Sequence, residues 1–338
     1  MSKNLILGTA EGYAFEDIAL FLGSLKKTSF SGSVYFFVHG MNFIDRSVLR
    51  NYGINVIPYR KKFPFLKGKV DIHADFCSNG FKKLYVEYYR FIIYYFFLKS
   101  RFKEFRDRTV LLTDIRDVVF QNDPFKYNYN TSKLYFFTEN KDCPIQENSF
   151  NSSWIHSLYG SAVLSEIGKY RCICSGMILG SVELIIGYLD TMIRHISEIQ
   201  QVVRGGDQAI HEFIIYKEGV DNCEILSNED GPIMHLHTIK PEDIAVDENG
   251  YIRSKNNAIV DIVHQYDRHD FLREAFCKKY NLVKLYPNKI YNFLDEIRVL
   301  IAVIMRGIKN LIKFMLRGSF LSHHRPKILN LKKERFTA

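Results

Sequence analysis

Residues 109–125 read TVLLTDIRDVVFQNDPF, and this stretch decides the fold class. It opens with an apolar run at residues 110–112, of the kind that fills the middle of a buried parallel strand. Two carboxylates, Asp114 and Asp117, follow where the run stops, and apolar residues resume at Val118. Carboxylates at the carboxyl end of a central strand lie where open α/β sheets bind their ligands. Such a pair can bind a divalent cation and through it a phosphate-bearing substrate, although two aspartates alone would also fit an ordinary acidic loop.

The segments before this stretch alternate between strand and helix patterns. Apolar runs at residues 4–9, 34–38 and 54–57 predict three strands. Between them, residues 15–27 carry an apolar stripe at helical spacing, and residues 45–52 suit a short helix. This order is the signature of a parallel sheet with helices on its faces. We therefore expect an α/β domain with a mostly parallel central sheet flanked by helices.

The helix expected before the acidic strand is long and aromatic. It spans residues 82–105 and holds a lone cation, Arg90, among apolar neighbours. Such an arginine can extend its guanidinium to solvent, or it can contact a phosphate or sugar near the strand ends. Further along, the sequence predicts a strand at 133–138, an irregular stretch to about 153, helices at 159–170, 181–201 and 209–216, a strand after the Cys174–Ser175–Gly176 turn, and late strands at 233–239 and 258–264.

Positive charge is concentrated at the C-terminal end. Residues 289–338 hold eleven Lys and Arg against three acidic residues, which accounts for +8 of the net charge of +9. Residues 294–317 place apolar and basic side chains on opposite faces of a predicted helix. A basic amphipathic helix of this kind is typical of attachment to an anionic membrane surface, and packing onto the rest of the chain is the alternative. The near-neutral remainder argues against nucleic-acid binding.

Cysteine usage and hydropathy predict a cytoplasmic location. The six cysteines show neither paired Cys-x-x-Cys spacing nor the density of a disulfide scaffold. The apolar run at residues 5–7 is too short for a signal-peptide core, and no stretch reaches the ~18 apolar residues of a membrane span. With the basic end of the chain, these observations predict peripheral attachment to the inner face of the membrane.

Four blocks, taken in order, make the chain resemble glycosyltransferases of the GT-A fold, in particular the family 8 type that uses sugar nucleotides to build bacterial surface glycans. The DIRD sequence at 114–117 stands where that family has its Asp-x-Asp motif. CSGMIL at 174–179 resembles its Asn-x-Gly strand, Asp207-Gln208 its Asp-Gln-Asp segment, and IVH at 262–264 its late strand ending in a metal-binding histidine. Arg90 matches a donor-contacting arginine. The likeness spans residues 4–270, and it implies a catalytic domain at 1–275 followed by a membrane-peripheral extension at 276–338.

The chain departs from the family pattern in three places. Two residues instead of one separate Asp114 from Asp117, which leaves the role of each open. Ala209 replaces the last residue of Asp-Gln-Asp, and the family's Lys-Pro-Trp sequence is missing after His264. Subfamily and stereochemistry therefore stay open.

The leaving group of a sugar nucleotide is a diphosphate, whose developing charge must be neutralised. The resemblance implies that Asp114, Asp117 and His264 hold a divalent cation that does this as a Lewis acid. Oxygen-rich ligation with one imidazole suits Mn²⁺ or Mg²⁺ better than zinc. Asp114 contacts the ribose or completes the metal shell. Further donor contacts are expected from Thr9, Ala10 and Tyr13 after the first strand, from Arg90, from Gly176 beneath the sugar, and from Arg268 or His269 at the diphosphate.

The resemblance also implies the reaction. The expected donor is a UDP-hexose, and the acceptor is a hydroxyl of a glycan or lipid-linked oligosaccharide in surface polysaccharide (lipopolysaccharide) biosynthesis. A retaining enzyme would place Gln208 near the anomeric carbon, whereas an inverting one would use Asp207 as the base that deprotonates the acceptor.

Two other functions compete with this hypothesis. A nucleotidyltransferase would normally carry a Gly-rich loop with a basic residue after its first strand, which the sequence TAEG at 9–12 lacks. A non-enzymatic membrane-binding module would explain the basic tail but not the ordered motifs. His235 and His237 share one face of a predicted strand, and we interpret them as a satisfied pair rather than metal ligands.

Overall fold

The structure is a computed structural model that describes residues 4–59 and 84–282. The predicted loop at 60–80, the predicted basic helix at 294–317 and the rest of the basic tail lie outside these residues. Within the described part of the chain, no helix is long and apolar enough to cross a membrane.

A seven-stranded sheet forms the centre of the described residues, in the order β3-β2-β1-β4-β7-β6-β8. Neighbouring strands run parallel except where β7 pairs with β4 and with β6. The predicted parallel arrangement of the first strands is therefore confirmed, and β7 makes the sheet mixed. The strands are β1 (Leu5–Glu11), β2 (Ser33–His39), β3 (Asn55–Pro58), β4 (Thr109–Thr113), β6 (Leu134–Thr138), β7 (Ile173–Ser181) and β8 (Cys223–Leu226).

A second, three-stranded sheet brings a late part of the chain to the acidic stretch. It consists of β5 (Val118–Phe120), β10 (Ile262–His264) and β9 (Ile233–His235), in that order. The register pairs His264 with Val118 on one side and with His235 on the other. His264 therefore reaches the end of β10 beside Asp117, whose carbonyl accepts a 2.8 Å hydrogen bond from the Gln265 amide.

Helices cover both faces of the central sheet, which is why its strands are apolar throughout rather than alternating. On one face, the helices Val86–Ser100 and Val182–Glu198 pack with residues of the central strands in one buried cluster. On the other face, Phe21 packs edge-on against Phe36 of β2 and Phe120 of β5. The helices are α1 (Ala19–Leu25), α2 (Phe43–Asn51), α3 (Val86–Ser100), α4 (Phe102–Phe105), α5 (Ser149–Ile167), α6 (Val182–Glu198), α7 (Gly206–Phe213) and α8 (Asp270–Lys279).

Several element boundaries differ from prediction. The helix expected at 82–105 is broken at Arg101 into α3 and α4. The stretch expected to be irregular up to residue 153 is already helical from Ser149, because the Asn148 side chain caps α5 by accepting from the amides of Phe150 and Asn151. The two late strands, β9 and β10, are shorter than predicted, with three residues each. Helix α8 spans residue 275, and the domain boundary expected there stays a prediction.

Candidate active site

The structure brings Asp114, Asp117 and His264 together at the carboxyl end of β4. The Nε2 atom of His264 lies 3.5 Å from Asp114 Oδ2 and 3.4 Å from Asp117 Oδ1. One ligand atom from each residue fits within 4.8 Å of the others. His264 Nε2 is buried and makes no hydrogen bond to any residue that the structure describes. Two carboxylate oxygens and an unpaired imidazole nitrogen form a donor set that suits a hard divalent cation such as Mn²⁺ or Mg²⁺.

The two residues between the aspartates explain how both carboxylates face this cluster. Ile115 is buried at 1% exposure. It packs so closely on Gly8 of β1 that any side chain there would overlap it. Arg116 points outward and pairs with Asp267 at 2.9 Å. Ile115 is thus fixed in the core and Arg116 lies on the surface. With this arrangement, both carboxylates face His264 although two residues, rather than one, separate Asp114 from Asp117.

Electrostatics at the cluster favour positive charge. Burial alone would lower the pKa of His264, but the groups around it, Cys174, Asp117 and Asp114, raise that pKa well above its ordinary value. Partial burial raises the pKa of Asp114, but the Arg90 guanidinium and His264 outweigh it and hold that pKa well below its usual range. A proton on His264 therefore supplies, beside the two carboxylates, the positive charge that a bound cation would supply in its place.

Arg90 is a buried link between the two acidic parts of the site. One guanidinium nitrogen, Nη1, donates to Asp114. The other, Nη2, donates to Asp207 Oδ2 at 2.6 Å and to Ser175 Oγ at 3.1 Å. Its side chain is only 11% exposed, so the interpretation of a solvent-facing arginine is wrong. Burial opposes charge on Arg90, yet Asp114 and Asp207 raise its pKa and keep it cationic.

Asp207 and Gln208 lie in the first turn of α7, rather than in the turn before it. Burial raises the pKa of Asp207 to about 6, against the opposing effect of Arg90. Ser175 Oγ also donates to Asp207, at 2.9 Å. The Gln208 amide donates to Asn151 Oδ1 at 2.9 Å and to Glu139 Oε1 at 3.3 Å. Both side chains are thus oriented by protein partners.

Gly176 of β7 is required by the cluster itself. A Cβ at this position would lie 2.9 Å from the carboxyl carbon of Asp114 and 3.2 Å from Cε1 of His264. The Asp114 amide also donates to the Gly176 carbonyl at 2.9 Å. The glycine therefore lets the strand backbone approach the carboxylate and the imidazole. The predicted approach of a sugar to this backbone stays a prediction.

The remaining predicted donor contacts lie at different distances from the cluster. Burial raises the pKa of Tyr13, and Asp114 and Asp117 raise it further, which places this phenol in the field of both carboxylates. Thr9 Oγ1 donates to the Tyr94 hydroxyl at 2.9 Å, and Ala10 is fully buried. Arg268 is 39% exposed, and its Nη2 lies 3.7 Å from Asp117 Oδ2.

The structure turns His269 away from the cluster. Its ring is buried, and its Nε2 lies 3.1 Å from the Leu236 carbonyl oxygen. Of the two candidates for the diphosphate, Arg268 is therefore the one that is exposed beside Asp117.

Sequence reasoning missed three residues of this region: Glu139, Cys174 and His235. Glu139 directly follows β6 and is 3% exposed, and burial raises its pKa. A carboxylate at a strand end is the same signal that identified Asp114. Cys174 Sγ lies 3.6 Å, and His235 Nδ1 lies 2.9 Å, from Nδ1 of His264. Strand alternation gave no indication of these contacts. The contact of His235 depends on the register between β9 and β10, and Cys174 lies on β7 of the other sheet.

Comparison with known proteins gives likenesses in structure alone. No protein-family model matches the sequence, and no curated protein matches it either. The apo structure of WbbM, a bifunctional glycosyltransferase, matches over 82% of this chain and 49% of that chain, with 12% identity and a TM-score of 0.50. This chain thus spans about half the length of WbbM.

Two further structures show lower TM-scores. The galactosyltransferase LgtC in complex with donor and acceptor sugar analogues has 13% identity and a TM-score of 0.46, covering 82% of this chain and 95% of that one. The glycosyltransferase GlyE of Streptococcus pneumoniae TIGR4 has 14% identity and a TM-score of 0.45, covering 83% of this chain and 60% of that one. Together with the observed sheet, the WbbM likeness confirms the predicted fold class: this chain has an α/β fold of the GT-A type.

Proposed function

We propose that this protein is a metal-dependent glycosyltransferase. It moves a hexose from a nucleotide sugar, a UDP-hexose by resemblance, to a hydroxyl of a glycan or lipid-linked oligosaccharide in surface polysaccharide biosynthesis. The observation that carries the proposal is the convergence of Asp114, Asp117 and His264 at the carboxyl end of β4. The fold type supports it, because sheets of this kind bind ligands beyond their strand ends.

The three residues supply the ligands of a Mn²⁺ or Mg²⁺ ion. When bound, such a cation neutralises charge on the diphosphate oxygens as a Lewis acid. Arg90 keeps Asp114 ionised and fixes the direction of its carboxylate, since it is bound to both Asp114 and Asp207. Arg268, which is exposed beside Asp117, is placed to donate to the diphosphate.

The sugar is expected above the Asp207–Gln208 turn of α7. The Gln208 amide group donates to Glu139 and Asn151. In a retaining reaction its carbonyl oxygen is the group that would face the anomeric carbon. In an inverting reaction Asp207 would take the acceptor proton, and a pKa of about 6 suits a base near neutral pH. Retention, which the resemblance implies, is the alternative we favour.

The basic C-terminal segment completes the proposal. Its charge of +8 over residues 289–338 favours an anionic membrane surface, where a lipid-linked acceptor would lie, and so favours the inner face of the membrane. Deleting residues 289–338 should abolish binding to vesicles containing anionic lipid. Unchanged vesicle binding after the deletion would refute the membrane attachment and leave the sugar transfer untouched.

A donor screen tests the enzymatic proposal. UDP-, GDP- and CMP-sugars are incubated with the protein and Mn²⁺, with and without chelator, and nucleotide release is measured. We expect release from a UDP-hexose that disappears with chelator and in Asp117→Ala. The matched control is Asp107→Ala, because the Asp107 side chain is 75% exposed. Release of pyrophosphate would favour a nucleotidyltransferase, and turnover of no donor, or turnover indifferent to chelator, would refute the proposal.

A further inference from the structure

The two ring nitrogens of His264 face different surroundings. Nε2 points to Asp114 and Asp117, where it is buried without a hydrogen bond to the described part of the chain. Nδ1 lies 2.9 Å from Nδ1 of His235. The two rings stand nearly perpendicular, at 76°, with centroids 5.1 Å apart. The imidazole therefore directs one ring nitrogen toward the proposed cation and the other toward a second histidine.

His235 is held rigidly for this contact. It is 1% exposed, and β9 pairs with β10 so that His235 lies directly opposite His264. Its backbone amide donates to Asn228 Oδ1 at 2.6 Å, and Asn228 Nδ2 donates back to its carbonyl at 3.0 Å. Its own Nε2 is buried and has no hydrogen-bond partner within residues 4–59 and 84–282. A buried nitrogen without a partner is unfavourable, so a satisfied core histidine does not describe this residue.

The distance between the two Nδ1 atoms indicates a hydrogen bond rather than a shared metal. Two nitrogens on a tetrahedral zinc with Zn–N bonds of ~2.05 Å would lie ~3.3 Å apart. The observed 2.9 Å is shorter and equals the ordinary length of a hydrogen bond. Cys174 Sγ, at 3.6 Å from His264 Nδ1, completes a Cys–His–His group that could otherwise suggest zinc.

A hydrogen bond between two imidazoles has two possible directions with opposite consequences. If His264 donates from Nδ1, its Nε2 can present a lone pair to a cation. If His235 donates, a neutral His264 carries its proton on Nε2, and the lone pair that a cation needs is lost. Only the first direction is compatible with His264 as a metal ligand.

We propose that His235 is a positioning residue. Its Nδ1 accepts a hydrogen bond from the Nδ1–H of His264 and so holds His264 in the tautomer whose Nε2 presents a lone pair on the side of the carboxylates. This inference rests on the proposed function, because it assigns His264 to the cation. With Nδ1 accepting, a neutral His235 carries its own proton on Nε2. His235 acts by orienting His264 and does not need to touch the substrate.

Substitutions at position 235 separate orientation from simple packing. His235→Leu removes the acceptor, and His235→Asn restores an acceptor oxygen near the position of Nδ1. We expect Mn²⁺ affinity, measured by electron paramagnetic resonance of free Mn²⁺, to fall by about 10–100-fold in His235→Leu. It should largely recover in His235→Asn, and it should be unchanged in the control His237→Leu. Equal Mn²⁺ affinity of the wild type and His235→Leu, both folded by circular dichroism, would overturn the inference.

Nuclear magnetic resonance tests the tautomer without relying on the variants' stability. In protein labelled with ¹⁵N-histidine, with His264→Asn used for assignment, Nδ1 of His264 should carry a proton both without metal and with Mg²⁺. A bare Nδ1 in either state would overturn the inference, as would zinc found in the purified protein and lost in Cys174→Ala. Failure of the wild type to bind any divalent cation would instead refute the proposed function, while the metal-free spectrum would still report the direction of the hydrogen bond.

Discussion

Replacing Gly176 by alanine is the sharpest perturbation that the chain offers. The added methyl would lie 2.9 Å from the Asp114 carboxyl carbon and 3.2 Å from His264 Cε1. Carbon atoms prefer separations of ~3.5–4.0 Å, so the Asp114 carboxyl group must move by ~1 Å. The strands cannot separate to absorb this shift, because β4 and β7 are paired from Thr109–Ser181 to Thr113–Met177.

The magnitude follows from what that shift disrupts. Overpacking costs about 1–3 kcal/mol of stability, which leaves a domain of this size folded. A misplacement of ~1 Å at a ligand and at the partner of Arg90 should lower kcat/KM for the sugar nucleotide by ~100-fold. Mn²⁺ affinity should fall with it, because one of three protein ligands has moved.

The assay pairs thermal unfolding, with and without Mn²⁺, with nucleotide release from the donor. Gly187→Ala is the matched control, because Gly187 is exposed on α6 and an added methyl would meet no atom of the described residues within 4 Å. That control should be more stable by about 0.5–1 kcal/mol and fully active. If folded Gly176→Ala bound Mn²⁺ and turned over donor like the wild type, the assignment of Asp114 to the cation site would be wrong.

Three further predictions concern stability. Arg90→Met leaves two carboxylates without their cation, and urea unfolding should show a loss of about 3–5 kcal/mol, whereas a loss below about 1 kcal/mol would contradict the buried network. The pKa of Asp207 rises from 3.8 in the unfolded chain to about 6 in the folded one, so its contribution to stability is present at low pH and is lost as pH rises through that window. Asp207→Asn should therefore flatten the curve of unfolding free energy between pH 4 and 6, and an unchanged slope would contradict the shift. Asn148→Ala removes the cap of α5 and should cost ~1 kcal/mol, with no change in Mn²⁺ affinity.

The fold class could be predicted because each early strand is an apolar run bounded by a helix pattern. Leu5 and Leu7 of β1 pair with Val110 and Leu112 of β4, and all four are buried, as such runs require. Strand direction was not predictable in the same way. The apolar run of β7 would look the same in either direction, and only its pairing with both neighbours makes it antiparallel.

The cluster of Asp114, Asp117 and His264 could be predicted only in part from strand ends. Asp114 and Asp117 flank the turn between β4 and β5, and position along a strand is a local property. The place of His264 in the cluster was predicted from the resemblance of residues 262–264 to a family strand. The partner of Arg90 was not, since Asp207 is 117 residues away and an ion pair at that separation depends on how α3 packs beside α7. His235 was misread for a similar reason: its contact with His264 depends on the strand register, which alternation does not specify.

Anomalous diffraction from crystals grown with Mn²⁺ and UDP tests the central claim most directly. The account predicts one strong manganese peak within coordination distance, ~2.2 Å, of oxygens of Asp114 and Asp117 and of Nε2 of His264, with the UDP diphosphate on its open side. A manganese peak bound elsewhere, or UDP bound at the strand ends with no metal beside these three residues, would contradict it.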